Sequence, residues 1–404
     1  MKPKPIRIIV LLATTVALQF TPDALAQFSL TCVGATTNSN DQGAFATGVA
    51  VSGRYAYLAN AQGGLLIYDI SGPTNPILCS VNDSGPYGSA VAAVVSGRYL
   101  YLGDDQNGLL TYNIFNPASP ALVAQNTDGI SDGGQAVAVA VSGNYLYLAN
   151  GVDGLRIYSL SNPSSPVNVA DINTGGDFSG PIGIAISGQI LYMACDIYGG
   201  FQVYSVTNPA SPVFLSQVDT GWIASSVAVT NNYAYVANNS SGLLVYDVSN
   251  PMKPSLVGQT NNDGIATGIA LSGNYAFLAN GFDGVRIYDV SNPSSPINVG
   301  HTATNYGGSA VSLVASGDYL YVANMNDGLR IFSVCPLLDI VLTNSNAIGF
   351  TWSAPLGSFA LQQSSNLLAN GWLTVTGGVV AVNSQYSVVM PQPPTPRYYR
   401  LISQ

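Results

Sequence analysis

Short runs of alternating apolar and polar residues fill most of the chain, and they predict β-strands rather than helices. The clearest run has the form S-G-x-Y-x-Y-L-A-N, and its first aromatic or apolar position recurs every 42 to 46 residues. The seven occurrences are at Tyr55, Tyr99, Tyr145, Ile190, Tyr233, Tyr275 and Tyr319. A period of about 40–50 residues built only from strand-like pieces is typical of propeller blades. The sequence therefore predicts an all-β, seven-bladed β-propeller.

Each repeat divides into four predicted strands, named a to d. In the third repeat they cover Val137–Val141, Tyr145–Asn150, Leu155–Leu160 and Val167–Ile172. Ser-Gly turns separate a from b, Gly-rich turns separate b from c, and N-P-x-x-P segments separate c from d. Strand a alternates small and large residues in every repeat. Because blades converge at the centre of a propeller, this taper predicts that strand a is the innermost strand.

Residues near the start of the chain supply a strand that the last repeat lacks. Strand d follows its own strand c only six times, whereas Phe28–Val33 resembles the strand d at Ile77–Val81. We expect the N-terminal segment to complete the seventh blade and close the ring. This places Cys32 and Cys335 on neighbouring strands. One hypothesis is that they form a disulfide, and the other is that both remain unpaired thiols. Cys79 and Cys195 fall in blades too far apart to pair.

The strand-c segments carry a resemblance to a known family. They read Leu65–Asp69, Leu243–Asp247 and Val285–Asp289, and each lies between a run of the Y-x-Y-L-A-N type and a segment of the N-P-x-x-P type. Together these motifs resemble the LVIVD-repeat family of bacterial and archaeal cell-surface propellers over residues 28–336, with Tyr or Phe replacing the second Val. The resemblance implies a propeller at the cell surface and implies no established reaction.

Three segments are predicted in chain order. Residues 1–26 have the basic start, apolar stretch and Ala-Leu-Ala end of an export signal. Residues 27–336 form the propeller. Residues 337–404 contain no repeat, and their alternating runs resemble a small fibronectin-III-like, β-sandwich-like module. We therefore expect a protein that is secreted or held in the cell envelope, without a transmembrane segment in its mature chain.

Composition narrows the classes of partner. Charged residues make up only 8% of the chain, the net charge is −9, and all 20 acidic residues are aspartate. A chain with this excess of negative charge lacks the cluster of basic residues that is typical of nucleic-acid-binding proteins. It suits polar turns on an exported protein better than acid–base catalysis, so the sequence favours a protein that is not an enzyme.

Polar positions at the end of strand b form a candidate ring. Its members are Asn60, Asn150, Asp196, Asn238, Asn280 and Asn324, with Asp104 in the second repeat. Asn and Asp favour turns, and the alternative is a polar ring that faces a ligand or ion. An Asp-Gly-x-Arg pattern in three repeats predicts a charge-assisted pair across the b–c turn, with a catalytic carboxylate as the alternative. No cofactor is required, but calcium is possible at Asp104–Gly108.

The variable d–a loops are the candidate recognition elements. They carry Tyr87, Phe178, Trp222 and Tyr306, and strand order places them at the same end as the b–c turns. We expect a non-enzymatic binding scaffold that engages an extracellular protein or polysaccharide there. One alternative is a hydrolase or lyase with Asp carboxylates at the channel mouth, although His301 is the only histidine available to a relay. Another alternative is a structural spacer in a surface assembly.

Overall fold

A computed structural model of the chain describes most of these segments. The described residues are 9–11, 29–36, 44–83, 85, 88–127, 135–174, 180–261, 264–302, 308–335, 339–344, 347–353, 359–365, 372–382, 385–391, 393 and 397–403. Nearly all regular structure in them is β-strand, with a short 3-10 turn at Gly151–Asp153. Within these ranges no helix is long and apolar enough to cross a membrane.

Seven four-stranded antiparallel sheets form the blades, which we number in chain order with strands a to d. Their strands are, for blade 1, Gly48–Ser52, Tyr55–Ala59, Leu65–Asp69 and Ile77–Asn82; for blade 2, Ala90–Ser96, Tyr99–Asp104, Gly108–Asn113 and Ala121–Asn126; for blade 3, Ala138–Ser142, Tyr145–Ala149, Leu155–Ser159 and Val167–Ile172; for blade 4, Pro181–Ser187, Ile190–Cys195, Phe201–Ser205 and Val213–Val218; for blade 5, Ser226–Thr230, Tyr233–Ala237, Leu243–Asp247 and Ser255–Thr260; for blade 6, Gly268–Ser272, Tyr275–Ala279, Val285–Asp289 and Ile297–His301; and for blade 7, Ser312–Ser316, Tyr319–Ala323, Leu329–Cys335 and Ser29–Ala35. The predicted seven-bladed propeller is confirmed.

Contacts between strands a close the blades into a ring. Strand a of each blade contacts strand a of the next, and strand a of blade 7 contacts strand a of blade 1. Seven apolar cores lie between neighbouring blades rather than within them. Tyr101 and Tyr235 are typical members, and burial raises the pKa of each phenol to about 12. A fully buried large side chain contributes about 1.5–3 kcal/mol, so these cores hold the ring together.

The small residues of strand a face the neighbouring blade at close range. A Cβ added at Gly48 would lie 2.5 Å from the carbonyl oxygen of Val91 in blade 2. On the opposite face of the strand, Val49 packs into the core between blades 7 and 1. The predicted taper of strand a therefore has a direct steric cause, because adjacent inner strands approach too closely for a large side chain.

The N-terminal strand completes blade 7, as predicted. Ser29–Ala35 pairs antiparallel with Leu329–Cys335. The register places Cys32 opposite Phe332 and Ser29 opposite Cys335, and Cys32 is a free thiol. The disulfide hypothesis for Cys32 and Cys335 is therefore wrong, since three residues of register separate two cysteines whose Cα atoms would have to lie within about 7 Å.

The two ends of the propeller carry different connections. At one end, the second residue after strand b exchanges backbone hydrogen bonds with the start of the next blade, as Ala61 does with Ala90 at 3.0 Å. We call this the loop end, because it holds the b–c turns and d–a loops. The opposite end holds the a–b turns and the N-P-x-x-P segments, and we call it the Pro end.

The C-terminal residues form two further sheets. One has the order Asp339–Asn344, Ala347–Ser353, Gln385–Pro391 and Val380–Val382, and the other Ile9–Leu11, Arg397–Ser403, Phe359–Ser364 and Leu373–Thr374. Phe350 and Trp352 from the first sheet share a buried core with Leu361 and Tyr399 from the second. This is the packing of the predicted β-sandwich-like module. The fibronectin-III likeness and the export signal, which includes Ile9–Leu11, stay predictions.

Candidate functional site

The b–c turns at the loop end share a tight backbone bend. The Asn that follows strand b donates its N–H to the carbonyl of the Gly four residues on, for example Asn150 to Gly154 at 2.8 Å. The residue after the Asn takes a left-handed conformation in several blades, with φ of 44° at Ala61 and 61° at Gly281. Such bends favour Gly and Asn because a Cβ clashes with the following carbonyl. The backbone conformation of these turns is therefore determined by the residues of the turn itself.

The predicted polar ring lies mostly inside these turns. Five of its members are at most 7% exposed, and these are Asn60, Asn150, Asn238, Asn280 and Asn324. Asp196 is partly buried, and its Oδ1 accepts the N–H of Ile197 at 2.7 Å. Asn238 Nδ2 holds the neighbouring d–a loop by donating to Thr220 O at 2.9 Å, and Nδ2 of Asn150, Asn280 and Asn324 donates to the Asp of its own turn. We therefore assign these four asparagines to the support of the loop end rather than to its surface.

The predicted Asp–Arg pairs are confirmed in blades 3, 6 and 7. Asp283 Oδ2 accepts hydrogen bonds from Arg286 Nε at 2.6 Å and from Asn280 Nδ2 at 2.7 Å. Asp153 binds Arg156, and Asp327 binds Arg330, in the same way. The paired side chains are only 12–20% exposed, so each pair is a charge-assisted brace between the turn and strand c.

Blade 3 adds a second carboxylate to its pair. Arg156 Nη1 lies 2.7 Å from Asp171 Oδ2 on strand d. Partial burial alone would raise the pKa of Asp171, but hydrogen bonds from Arg156 and Asn168 outweigh it and lower that pKa. The carboxylate of Asp171 is therefore charged at neutral pH and remains half exposed, at 51%.

Blade 2 replaces the Asn with adjacent carboxylates. Asp104 is fully buried, and its Oδ1 accepts the N–H groups of Ser89, Gln106 and Asn107 at 3.0–3.1 Å. Burial, together with the neighbouring charge of Asp104, raises the pKa of Asp105. Among the described residues, no three His, Cys, Asp or Glu side chains converge on one point. Calcium at Asp104–Gly108 stays a prediction.

Trp222 is the candidate aromatic whose position the structure gives. It is 51% exposed, and its loop is held on both sides. Gly221 N donates to Asp219 Oδ1 at 2.8 Å, and Thr220 Oγ1 donates to Trp222 O at 2.7 Å. The indole is thus presented on a loop with defined geometry. The other three candidates, Tyr87, Phe178 and Tyr306, lie outside the described residues.

Further exposed apolar side chains at the loop end were not identified from the sequence. Val152, Tyr198 and Phe282 each occupy the second position after the Asn or Asp of a b–c turn, and they are 44%, 71% and 76% exposed. Ile265, on the d–a loop before blade 6, is 47% exposed. The equivalent turn positions in the other blades hold polar residues: Gln62, Gln106, Ser240 and Asn326. Comparing one turn position across all repeats would have found this difference.

These side chains lie on consecutive blades. The Trp222 loop touches the blade 4 turn, because Ala224 N donates to Cys195 O at 3.1 Å. A Cβ added at Gly281 would lie 3.5 Å from Ile265 Cβ, which places Ile265 beside the turn of Phe282. We define the apolar sector as five exposed side chains at the loop end of blades 3 to 6: Val152, Tyr198, Trp222, Ile265 and Phe282.

A groove of about 420 Å³ opens at the Pro end, between blades 7 and 1. Its charged side chains are Arg54 and Asp318. Arg54 is held by an ion pair with Asp69, also at the Pro end. The remaining walls are largely turn backbone and the side chains of Tyr319 and Tyr321. Neither tyrosine is exposed, so this groove lacks exposed aromatic side chains.

Comparisons with known proteins agree with the observed fold. Many solved structures are similar to the chain, and two of them serve as examples. A computationally designed Ika8 protein has a TM-score of 0.52 at 12% identity, covering 74% of this chain and 98% of its own. A chain from a mitotic checkpoint complex has a TM-score of 0.62 at 11% identity, covering 81% of this chain and 98% of its own. At such identities the likeness shows the fold alone. No curated protein matches the chain.

A family model matches seven times along the propeller. The model is the LVIVD repeat, and it matches residues 43–83, 87–128, 133–174, 182–220, 222–262, 263–304 and 307–334. These segments coincide with the seven blades and cover more than half of the sequence. The chain therefore belongs to the LVIVD repeat family.

Proposed function

We propose that the protein is a non-enzymatic scaffold, outside the cell or in its envelope, that binds a protein or polysaccharide through the loop end. The single observation that carries this proposal is the apolar sector. The b–c turns of blades 3, 4 and 6 present an exposed apolar or aromatic side chain at a position that is polar in the other four blades, and exposed Trp222 and Ile265 lie on the d–a loops that precede blades 5 and 6. The repeat fold itself supports a binding scaffold in general terms.

The rigidity of the loop end supports this role. A side chain on an ordered turn loses little conformational entropy when a partner binds, which preserves more of the contact energy. Asn238 fixes the Trp222 loop, and the Asp283–Arg286 pair fixes the turn that presents Phe282. Aromatic residues held this way are the usual anchors of recognition surfaces.

The exposure of these residues also needs a cause. They add nothing to the inter-blade cores, in which the neighbouring strand residues are already buried. Exposed apolar side chains on neighbouring turns and loops form a larger patch than scattered single residues do, and such patches mark interaction surfaces. The C-terminal module would then space or attach the propeller while its loop end engages the partner.

The test is capture of envelope and secreted material from the source cells by purified protein. We expect a Tyr198→Ala, Trp222→Ala, Phe282→Ala triple variant to lose most of the bound material. The matched control is a Phe115→Ala, Met252→Ala variant, which removes exposed residues from the Pro end, where they are 81% and 68% exposed. Equal capture by the two variants would exclude the loop end as the binding surface.

A further inference from the structure

Charge is distributed unequally between the two ends of the propeller. Among the described residues the loop end carries nine aspartates and three arginines, so its net charge is −6 with His301 neutral. The aspartates are Asp83, Asp104, Asp105, Asp153, Asp171, Asp196, Asp219, Asp283 and Asp327. The described Pro end carries four aspartates against Arg54, Arg98 and Lys253, a net charge of −1. The acidity is therefore a property of one face.

The arginines of the loop end already have carboxylate partners. Arg156, Arg286 and Arg330 each bind the aspartate of their own turn, and Arg156 is shared with Asp171. The excess negative charge consequently falls on other carboxylates, and two of them adjoin the apolar sector. Asp196 precedes Tyr198 in the same turn, and Asp219 is exposed in the Trp222 loop.

We infer that the partner of the loop end is a protein segment in which arginine or lysine residues are interspersed with apolar ones. This inference rests on the proposed function and narrows it. Carboxylates attract such a segment over long range and orient it. The faces of Tyr198 and Trp222 bind cations as well as apolar groups. An acidic polysaccharide is repelled by this face, and a neutral one gains nothing from its charge.

A matched pair of aspartates tests the inference. Asp219 Oδ1 accepts the N–H of Gly221 at the loop end, and Asp247 Oδ1 accepts the N–H of Ser249 at the Pro end, both at 2.8 Å. Asn in either place keeps an oxygen acceptor for this bond and removes one charge. The two substitutions therefore differ only in the end of the propeller that loses the charge.

The probe is a fluorescein-labelled peptide of arginine, leucine and glycine, and its binding to the full-length protein is followed by fluorescence anisotropy. We expect Asp196→Asn with Asp219→Asn to weaken binding about fivefold or more, and Asp247→Asn with Asp289→Asn to leave it unchanged. Replacing each arginine of the peptide by neutral citrulline should abolish the difference between the two variants, and raised salt should weaken wild-type binding.

The outcomes separate the inference from the proposed function. Equal losses in the two charge variants, or tighter binding of the citrulline peptide, would overturn the inference. If capture of envelope material depends on the apolar sector but is unaffected by Asp196→Asn with Asp219→Asn, the loop end binds a partner of another class, such as a neutral polysaccharide. If the apolar sector has no effect on capture, the proposed function itself fails.

Discussion

The two ends of the propeller use turns in different ways. At the Pro end the N-P-x-x-P segments contact the preceding blade directly, since Ser80 Oγ donates to Pro117 O at 3.0 Å and Ser216 Oγ donates to Pro251 O at 2.7 Å. At the loop end a buried Asn fixes each turn in most blades, and the next-but-one residue points away from the core. Residues that recur in every repeat therefore join neighbouring blades. Positions that differ between repeats have no such packing role, and the apolar sector lies at positions of this second kind.

The largest expected effect is at a Pro-end junction. A Cβ added at Gly258 would lie 2.2 Å from the carbonyl oxygen of Pro293 in the next blade. We expect Gly258→Ala to lower the free energy of unfolding by about 3 kcal/mol, because backbone atoms must move apart to admit the methyl group. Chemical denaturation measures this loss. Gly72→Ala is the control, since nothing lies within 4 Å of its added Cβ, and an equal loss there would contradict the steric explanation.

A moderate effect is expected from the loop-end braces. Asp283→Ala leaves Arg286 and Asn280 without their shared acceptor, and we expect it to cost about 1–3 kcal/mol of unfolding free energy. Ser241→Ala removes the equivalent residue of blade 5, which lacks the Arg, and should change stability by less than about 0.5 kcal/mol. Denaturation curves that show the same small change for both would mean that the brace is not structural.

The pH dependence should reveal the second carboxylate of blade 3. The pKa of Asp171 is lower in the folded protein than in the unfolded chain. Asp171 therefore stabilises the folded state fully at pH values above its unfolded pKa, and this stabilisation is lost as the pH falls through its folded pKa. We expect the melting temperature of Asp171→Asn to lie below that of the wild type at neutral pH and to converge with it in acid. Melting curves between neutral pH and about pH 2 measure this, and a constant offset would refute it.

The smallest expected effect concerns the exposed residues themselves. Phe282→Ala at the loop end and Phe115→Ala at the Pro end should each change the unfolding free energy by less than about 0.5 kcal/mol, since both side chains are largely in water. If the two variants are equally stable, any difference in their binding is due to the exposed side chains and not to unfolding. A loss above about 1 kcal/mol for Phe282→Ala would show that the apolar sector is partly structural.

The sequence predicts the fold well because the signals of a propeller are local and repeated. The Y-x-Y-L-A-N runs, the Ser-Gly turns and the N-P-x-x-P segments each report a strand or a turn, and seven copies fix the number of blades. The register of the closing strand could not be predicted, because its resemblance to another strand d does not fix which residue of Leu329–Cys335 each of its residues faces, and Cys32 lies opposite Phe332. Registers of this kind depend on contacts between distant parts of the chain.

The binding face was predicted less completely than the fold. Trp222 is exposed as expected. Tyr198 and Phe282 lie in b–c turns, for which the sequence predicts only a structural role. The turn motif fixes the backbone and does not determine which way its second residue points. The asparagines that follow strand b lie in turns, as their residue type predicts, and the tight bend draws their amides inside.

The most direct test blocks one end of the propeller at a time. Ser240 and Ser249 are both exposed on blade 5, the first at the loop end and the second at the Pro end. Each is replaced by Cys in a chain with Cys32, Cys79 and Cys335 changed to Ser, and then coupled to a bulky maleimide polymer; Cys195 is buried and unreactive.

Capture of envelope and secreted material by the two conjugates is then compared with that of the uncoupled proteins. The account predicts that the polymer at Ser240→Cys abolishes capture and that the same polymer at Ser249→Cys leaves it intact. Capture that survives at Ser240→Cys but is lost at Ser249→Cys would place the binding surface at the Pro end and contradict the account.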